Sequence, residues 1–373
     1  MIFSTSENDN KRFTNFYKNE KGFSLIEVII AMVIFLIVTT AIYGLLQVAR
    51  VDRNRSSRRA DILKNARVAV HLIGRDALNA GLGYHRVGAI VPDNFLSSKL
   101  GIPADTDTNR DILTSIVAGN NIYTNNLQTD PNVKTDMITF AFRDLDFNNS
   151  SVVELQNVNT PAADLQTARL VTKDASGAIE VKPNDLYLIE SDTSQVAVMA
   201  SGIPAPNQID VSPTDALGIN QPIDGLNADG SLLRKCVDSA DLNCTTYLAS
   251  LKRFFLVKYH VNNEGTLIRS VFGNNRTGTI PADQRQEFPL AYNVENLQIR
   301  YVLKNGTVTE NPSAGDDGIA GTADDTIEDF NLIRQITVTL TVQSVEADEQ
   351  TQKLDKITIT STFSARNMEY DAG

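Results

Sequence analysis

An uncharged apolar run of 22 residues near the N-terminus, from Val28 to Ala49, constrains this chain more than any other feature. A helix rises about 1.5 Å per residue, so the run would be about 33 Å long, enough to cross the hydrocarbon core of a bilayer. A cleaved secretory signal has a shorter apolar region, of about 7–15 residues, that ends at a small-residue cleavage site. Tyr43-Gly44-Leu45-Leu46 does not provide such a site. The run therefore predicts a single membrane-spanning helix.

The charge of the chain is divided unevenly along its length. Residues 1–80 contain 12 basic and 7 acidic residues, whereas residues 81–373 contain 22 basic and 38 acidic residues, a balance of −16. A body this acidic repels phosphate backbones, so we predict no nucleic-acid partner.

Nothing in the sequence matches a catalytic motif. None of the three histidines adjoins a Ser or Cys nucleophile motif, and there is no P-loop and no H-E-x-x-H. Two cysteines and three histidines are also too few for a disulfide scaffold or a histidine-rich metal centre. We therefore expect a protein that is not an enzyme.

The helical pattern continues beyond the apolar run. Residues on one helical face recur at steps of four, three, four and four, namely Ile62, Ala66, Ala69, Ile73 and Ala77. No proline occurs before Pro92, and Gly81-Leu82-Gly83 is a typical helix stop. We predict one helix over residues 23–80, with residues 23–49 in the membrane. His71 stands among aliphatic residues and is predicted to lie in the core or at its rim.

Residues 81–373 show the two-residue alternation that is typical of half-buried strands. Gln335–Val342 places apolar residues on one face and threonines on the other, and Lys356–Phe363 nearly repeats the pattern. Further strands are predicted at Met137–Phe142, Arg253–Val261, Thr266–Phe272 and Leu297–Leu303, with Asn262–Gly265 as a hairpin turn. The predicted fold class is α+β, a long N-terminal helix followed by a β-rich globular head.

A specific pattern stands directly before the apolar run. Gly22-Phe23-Ser24-Leu25-Ile26-Glu27-Val28 resembles the processing site of type IV prepilins and type II secretion pseudopilins. The resemblance implies that residues 1–22 are a leader peptide, that prepilin peptidase cuts between Gly22 and Phe23, and that Phe23 is then N-methylated. It also implies that Glu27 pairs with the N-terminus of a neighbouring subunit. This pairing is physically reasonable, because the free-energy cost of burying a carboxylate falls when a cation neutralises it.

Other stretches resemble PilW-type minor pilins, namely Ala66–Gly81 and, more loosely, Tyr292–Tyr301 and Phe363–Asn367. The resemblance implies a minor pilin that initiates, caps or decorates a type IV pilus or acts as an adhesin, with other major and minor pilins as partners through its helix. It further implies an inner-membrane anchor with the head, residues 81–373, in the periplasm, followed by transfer to the pilus. Two alternatives stay open: a type II secretion pseudopilin, and a membrane-tethered extracytoplasmic hydrolase or binding protein with a coincidental leader.

The basic residues that flank the apolar run oppose this orientation. Four precede it (Lys11, Arg12, Lys18 and Lys21) and seven follow it (Arg50, Arg53, Arg55, Arg58, Arg59, Lys64 and Arg67). Taken alone, the positive-inside rule would place the body in the cytoplasm. We follow the resemblance and expect the body on the other side of the membrane.

With the head outside the cytoplasm, the two cysteines are expected to be oxidised. Cys236 and Cys244 enclose seven residues in a polar stretch, and a disulfide that closes this short loop is the natural prediction. Two free thiols or half of a metal site are the alternatives.

Two acidic stretches are candidate calcium loops. Four aspartates, Asp316, Asp317, Asp324 and Asp325, surround a glycine-containing turn and resemble the acidic Ca2+ loops of extracellular and pilus-associated proteins. Ca2+ needs six to eight oxygen ligands, and a solvated acidic loop is the alternative. Asp105–Asp111 opens like an EF-hand, but Arg110 stands where glycine is needed, so only a looser Ca2+ site is expected there.

Overall fold

The structure is a computed structural model that divides into two compact units, residues 1–57 and residues 58–373. The residues that it describes are 22–85, 87–103, 110–128, 130, 132–159, 166–173, 180–190, 195–222, 249–274, 284–312, 327–348 and 351–369.

One long helix, α1, extends from Leu25 to Asn79 and contributes to both units. This observation, together with the β-rich structure that follows, confirms the predicted fold class. The helix begins two residues later and ends one residue earlier than predicted. The chain leaves it through Gly81, whose φ of +80° is a left-handed conformation that glycine adopts without a steric penalty.

Residues 58–79 of α1 belong to the same unit as the strands because one face of this segment is packed. All five residues predicted to line that face are buried, namely Ile62, Ala66, Ala69, Ile73 and Ala77. The boundary between the units therefore lies inside α1 and not at its end. Burying an aliphatic side chain stabilises a fold by about 1.5–3 kcal/mol, which ties this half of the helix to the head.

The larger sheet of the head has thirteen strands among the described residues. They are β1 (Ala89–Val91), β2 (Asp111–Leu113), β3 (Ile116–Tyr123), β4 (Thr135–Arg143), β5 (Val153–Asn159), β6 (Ala168–Thr172), β7 (Leu186–Glu190), β8 (Gln195–Met199), β9 (Gly202–Ala205), β10 (Gln208–Val211), β11 (Ser250–Val261), β12 (Leu267–Phe272) and β13 (Arg285–Ala291). The main path runs β2-β1-β8-β7-β11-β5-β6-β10-β9. The second path, β3-β4-β11-β12-β13, shares the long strand β11.

Strand β11 pairs with four strands because its two halves belong to different paths. Residues 250–253 pair with β7 and, in part, β5, whereas residues 254–261 pair with β4 and β12. All of these pairings are antiparallel, and the β11–β12 hairpin turns at the predicted position. Among the described strands, β1 and β8 form the single parallel pair.

The smaller sheet has the order β15-β14-β16-β17, and each neighbouring pair is antiparallel. Its strands are β14 (Val294–Leu303), β15 (Val308–Thr309), β16 (Ile333–Ala347) and β17 (Leu354–Ser364). As the alternation predicted, Ile336, Val338 and Leu340 are buried. The threonines of β16 and β17 line the other face, where three cross-strand hydroxyl pairs lie 2.9–3.2 Å apart.

Four short helical turns complete the described structure. They are a π-helical turn at Leu96–Leu100 and 3-10 turns at Phe147–Ser150, Ile327–Leu332 and Arg366–Glu369.

Two clusters of buried apolar side chains stabilise the head. The larger cluster joins the packed face of α1 to the smaller sheet and to β4 and β11, and the smaller one lies among β5, β6, β7, β8 and β10. Strand β7 serves both clusters, with Leu186 and Leu188 in the larger and Tyr187 and Ile189 in the smaller. A strand that is buried on both faces has a continuous apolar run, so the alternation rule does not detect it.

A buried carboxylate fastens α1 to the larger sheet. Asp76 is 1% exposed, and its Oδ2 accepts hydrogen bonds from the Tyr259 hydroxyl at 2.6 Å and from Arg269 Nε at 2.9 Å. Its Oδ1 accepts from Arg75, the preceding residue of the helix. Tyr259 and Arg269 belong to β11 and β12, so this network sets the position of the helix over both strands.

A second buried carboxylate joins the two sheets. Asp136 on β4 accepts the backbone N–H of Asn121 at 2.8 Å on Oδ1 and that of Ile299 at 2.7 Å on Oδ2. Burial raises the pKa of this carboxyl to about 6, although both N–H donors act in the opposite direction.

We expect Asp136 to make the head more stable as the pH falls from about 7 to about 4. The folded carboxyl binds its proton more tightly than the unfolded one, which titrates at the ordinary aspartate pKa of about 3.9. Protonation over this range therefore favours the folded state by up to about 3 kcal/mol. Urea unfolding of the full chain at about pH 5 and about pH 7 measures the slope. Asp136→Asn should make it shallower without abolishing it, because burial also raises the pKa of Asp185 to about 6. Equal slopes for the two proteins would contradict the assignment.

Candidate functional site

The start of α1 is set by a serine cap. Ser24 directly precedes the first helical residue, and its Oγ accepts the backbone N–H of Glu27 at 3.3 Å, while its carbonyl accepts the same N–H at 3.0 Å. Ser24 and Glu27 stand in the S-x-x-E spacing of a capping box. That spacing is a sequence signal for a helix start just before the apolar run, and the predicted start at residue 23 did not take it into account.

The bond predicted to be cut lies outside the helix. Gly22 and Phe23 precede Leu25 in non-helical backbone, and Phe23 is 83% exposed. Among the described residues other than Gly22 and Phe23, no atom lies within 4 Å of the position that a Cβ on Gly22 would occupy. Both predicted processing residues therefore lie in an open segment that a peptidase can reach.

Glu27 is an exposed carboxylate in the first turn of α1. The N-terminus of a helix carries a partial positive charge, so this position favours an acidic side chain by about 0.3–1 kcal/mol. That contribution is smaller than the cost of about 2.5–3.5 kcal/mol for a charged side chain at the middle of a bilayer. A cationic partner would offset the remaining cost.

The apolar residues that follow Glu27 are exposed. No residue of the segment 25–57 is buried, and its most apolar 18-residue window has a mean hydropathy of 2.8. The hydroxyls of Thr39 and Thr40 donate to the carbonyls four residues earlier, at 2.7 and 2.8 Å. With their polar groups satisfied inside the helix, these residues suit an apolar environment. By length and composition, the apolar part of α1 is able to cross a membrane.

Some of the basic residues after the anchor are bound by the head. Arg58 donates to the carbonyl of Ala347 at 3.2 Å, and Arg59 forms an ion pair with Asp355 at 3.1 Å. These two arginines have structural partners within their own unit, which reduces their weight as an orientation signal.

Several predicted sites lie outside the described residues. They are the leader up to residue 21, the cysteines Cys236 and Cys244, the acidic loop with Asp316, Asp317, Asp324 and Asp325, and residues 105–109 of the EF-hand-like stretch. Within the described residues, no cluster of three or more His, Cys, Asp or Glu side chains could hold a metal ion. The disulfide and the Ca2+ loop stay predictions.

Two single residues are placed differently from what their sequence context indicated. Asp111, the last aspartate of the EF-hand-like stretch, lies in β2 and accepts the backbone N–H of Leu96 at 2.9 Å. His71 is exposed on α1, so the prediction that it lies in the core or at its rim is wrong. Its aliphatic neighbours in the sequence point to other sides of the helix.

A cluster of titratable residues that the sequence did not signal lies on β11. Lys258 is 2% exposed and donates to the carbonyl of Leu100 at 3.0 Å and to the Tyr123 hydroxyl at 2.6 Å. Burial lowers the pKa of Lys258 to about 8 and that of His260, whose ring packs against Tyr123 at a tilt of 39°, to about 3. These contacts fasten β11 to the turn at residues 96–100, which is a structural role.

Comparison with known proteins identifies one segment of the chain. Residues 17–43 match the family of the prokaryotic N-terminal methylation motif, a segment that includes Gly22, Phe23 and Glu27. No curated protein and no solved structure matches the chain.

Proposed function

We propose that this chain, a type IV prepilin-like protein by its N-terminal methylation motif, is a minor pilin that takes part in type IV pilus assembly. The observation that carries the proposal is the constellation at residues 22–49. An open Gly22–Phe23 bond, a capped helix start and a first-turn Glu27 stand directly before an unpartnered apolar helix.

Processing would prepare the protein for assembly. In the proposed sequence, the helix first anchors the chain in the inner membrane with the head in the periplasm, and prepilin peptidase hydrolyses the Gly22–Phe23 bond. The new amine of Phe23 is then methylated and retains its positive charge. The chain acts by assembly, and no catalytic role is proposed for it.

Assembly would bring two opposite charges together. In the filament, the apolar helix of each pilin leaves the lipid and packs against the helices of neighbouring pilins. The Glu27 carboxylate of one subunit then pairs with the N-terminal amine of another. Such a pair offsets the desolvation of both charges, since each neutralises the other in an apolar environment. Within the filament, the proposed role is initiation, membership of the tip complex or adhesion.

A type II secretion pseudopilin shares all of these N-terminal features. Recovery of the protein from sheared surface pili, in cells that lack the secretion system, would distinguish the two kinds of filament.

The mature N-terminus provides the direct test of the proposal. Mass spectrometry of protein from sheared filaments should find a chain that begins with N-methylated Phe23. Gly22→Leu should block cleavage and leave the precursor in the membrane, whereas Gly44→Leu, a glycine change in the same exposed segment, should be processed normally. Surface filaments containing a chain that still begins at Met1 would refute the proposed processing.

A further inference from the structure

A cavity of about 490 Å³ opens on the outer face of strands β6 and β10. Arg169 on β6 and Asp210 on β10 line it and stand directly opposite each other in the register of the two strands. Their neighbours Leu170 and Ile209, also a register pair, are buried in the smaller apolar cluster. Successive side chains of a strand point to opposite faces, so Arg169 and Asp210 face away from that cluster and into the cavity.

Two connecting segments form further parts of the cavity wall. The turn before β7 contributes Asn184, and the loop after β10 contributes Ser212 and Thr214. Asn184 has a φ of +68°, a left-handed conformation that asparagine adopts more readily than most residues. Its N–H donates to the Ala200 carbonyl at 2.7 Å and its carbonyl accepts the N–H of Asn274 at 2.8 Å, so backbone hydrogen bonds fix its position.

The charged groups of the cavity are neutralised by neighbours within the head. Arg169 donates from Nε and Nη2 to the two carboxylate oxygens of Asp210, at 2.6 and 2.8 Å. The carboxylate of Asp215, another lining residue, accepts four backbone N–H groups of its own loop, those of residues 217–220. A charged ligand would lose its hydration without meeting an uncompensated opposite charge, so the cavity favours a neutral ligand.

Hydrogen-bonding groups remain unused on several lining side chains. A guanidinium has five N–H donors, and Arg169 uses two of them on Asp210 and none on any other described residue. The side-chain amide of Asn184 has no partner within the described part of the chain. The Ser212 and Thr214 hydroxyls lie 2.9 Å apart, and the one that accepts in this contact keeps its own proton for another acceptor. The cavity therefore offers both donors and acceptors.

Apolar surface is scarce in the cavity. Met199 and Ala216 are apolar, and none of the described lining residues is aromatic. A flat aromatic or aliphatic ligand would bury little apolar area here, so the hydrophobic effect would contribute little to its binding. Peptides are often bound through free backbone groups at a sheet edge, whereas the unused groups of this cavity belong to side chains. Saccharide hydroxyls, which both donate and accept, match such a set of groups.

We propose that this cavity binds a short neutral saccharide, with Arg169 and Asn184 as its main hydrogen-bond partners. The cavity volume lies in the range of about 300–1,000 Å³ that is typical of small-molecule sites. Because there is no aromatic ring on which a sugar could stack, we expect a dissociation constant of about 1 mM. The interpretation of this site as an adhesive one rests on the proposed function, but the binding of a saccharide does not.

Saturation-transfer NMR of the full chain tests the proposal, in a detergent without a sugar headgroup and with lactose, maltose and N,N'-diacetylchitobiose as probes. At least one of these neutral disaccharides should bind. Asn184→Gly removes the amide and keeps a residue that tolerates the left-handed backbone, so it should weaken binding about three- to tenfold. Asn293→Gly is the matched control and should bind normally, because Asn293 also has a positive φ, of +56°, and does not line the cavity.

Thermal melts of both variants check that they fold. Thr214→Val replaces an exposed hydroxyl by a methyl group, and this second variant should also weaken binding, whether or not Asn184→Gly folds.

The proposal is wrong if none of the three disaccharides binds at about 20 mM, or if Asn184→Gly and Thr214→Val bind as tightly as the control. Binding of glucuronate or glucosamine without binding of any neutral probe would identify a site for charged ligands and would equally overturn it. None of these outcomes depends on cleavage at Gly22, so they are independent of the test of the proposed function.

Discussion

Glu27→Ala is expected to remove the protein from surface filaments almost completely while leaving its cleavage and N-methylation intact. The physical reason is the cost of an unpaired charge. Without the carboxylate, the amine of a neighbouring Phe23 would enter an apolar environment alone, and an uncompensated buried charge costs several kcal/mol. A loss of about 3 kcal/mol at this step corresponds to a drop of more than about a hundredfold in the incorporation equilibrium.

The measurement is the ratio of filament-bound to membrane-bound protein after shearing, with mass spectrometry of both pools. Asp52→Ala is the matched control, because Asp52 is an exposed carboxylate of the same helix that lies outside the apolar run. The control should be incorporated normally. Normal incorporation of Glu27→Ala, with Phe23 at its N-terminus, would show that the carboxylate has no role in assembly.

Asp76→Ala should destabilise the head unit by about 3–5 kcal/mol. The carboxylate is 1% exposed and receives hydrogen bonds from Tyr259 and Arg269, so its removal leaves a largely buried cation without its counter-charge. The packed half of α1 would lose its ion pair with Arg269 of β12 and the carboxylate hydrogen bond from Tyr259 of β11. Chemical unfolding of the full chain in detergent would measure the change in the free energy of unfolding.

Arg75→Ala serves as the comparison, because it removes a different partner of the same carboxylate. The Arg75 side chain is 53% exposed, and an exposed ion pair contributes no more than about 1 kcal/mol. We therefore expect a small change for Arg75→Ala beside a large one for Asp76→Ala. Similar losses for both variants would mean that the buried contacts with the sheet do not hold the helix.

Local signals allowed the long helix and two strands of the smaller sheet to be predicted. The apolar run, the helical spacing of Ile62 to Ala77 and the Thr alternation of β16 and β17 each reflect the period of one element. The strands within residues 83–250 could not all be predicted from the sequence. Strands β7 and β8 are buried on both faces and therefore show no alternation, and β1 and β2 are only three residues long. Their partners lie far away in the chain, as in the pairing of β1 with β8.

The candidate site divides in the same way. The roles of Gly22, Phe23 and Glu27 could be predicted because all three residues belong to one motif of six consecutive residues that directly precedes the apolar run. The role of Asp76 was not predicted, since a helical sequence does not say which of its polar faces is covered. Tyr259 and Arg269, the partners of Asp76, are 183 and 193 residues further along the chain.

The amino-acid order alone determined the anchor, the processing pattern and the class of fold, because each depends on the chemistry of neighbouring residues and on a short structural period. The tertiary structure decided which half of α1 joins the head, which carboxylates are buried, and which cations are left facing outward. These outcomes depend on the energies of contacts between residues that are distant in sequence, and a local sequence pattern does not show which of these contacts form.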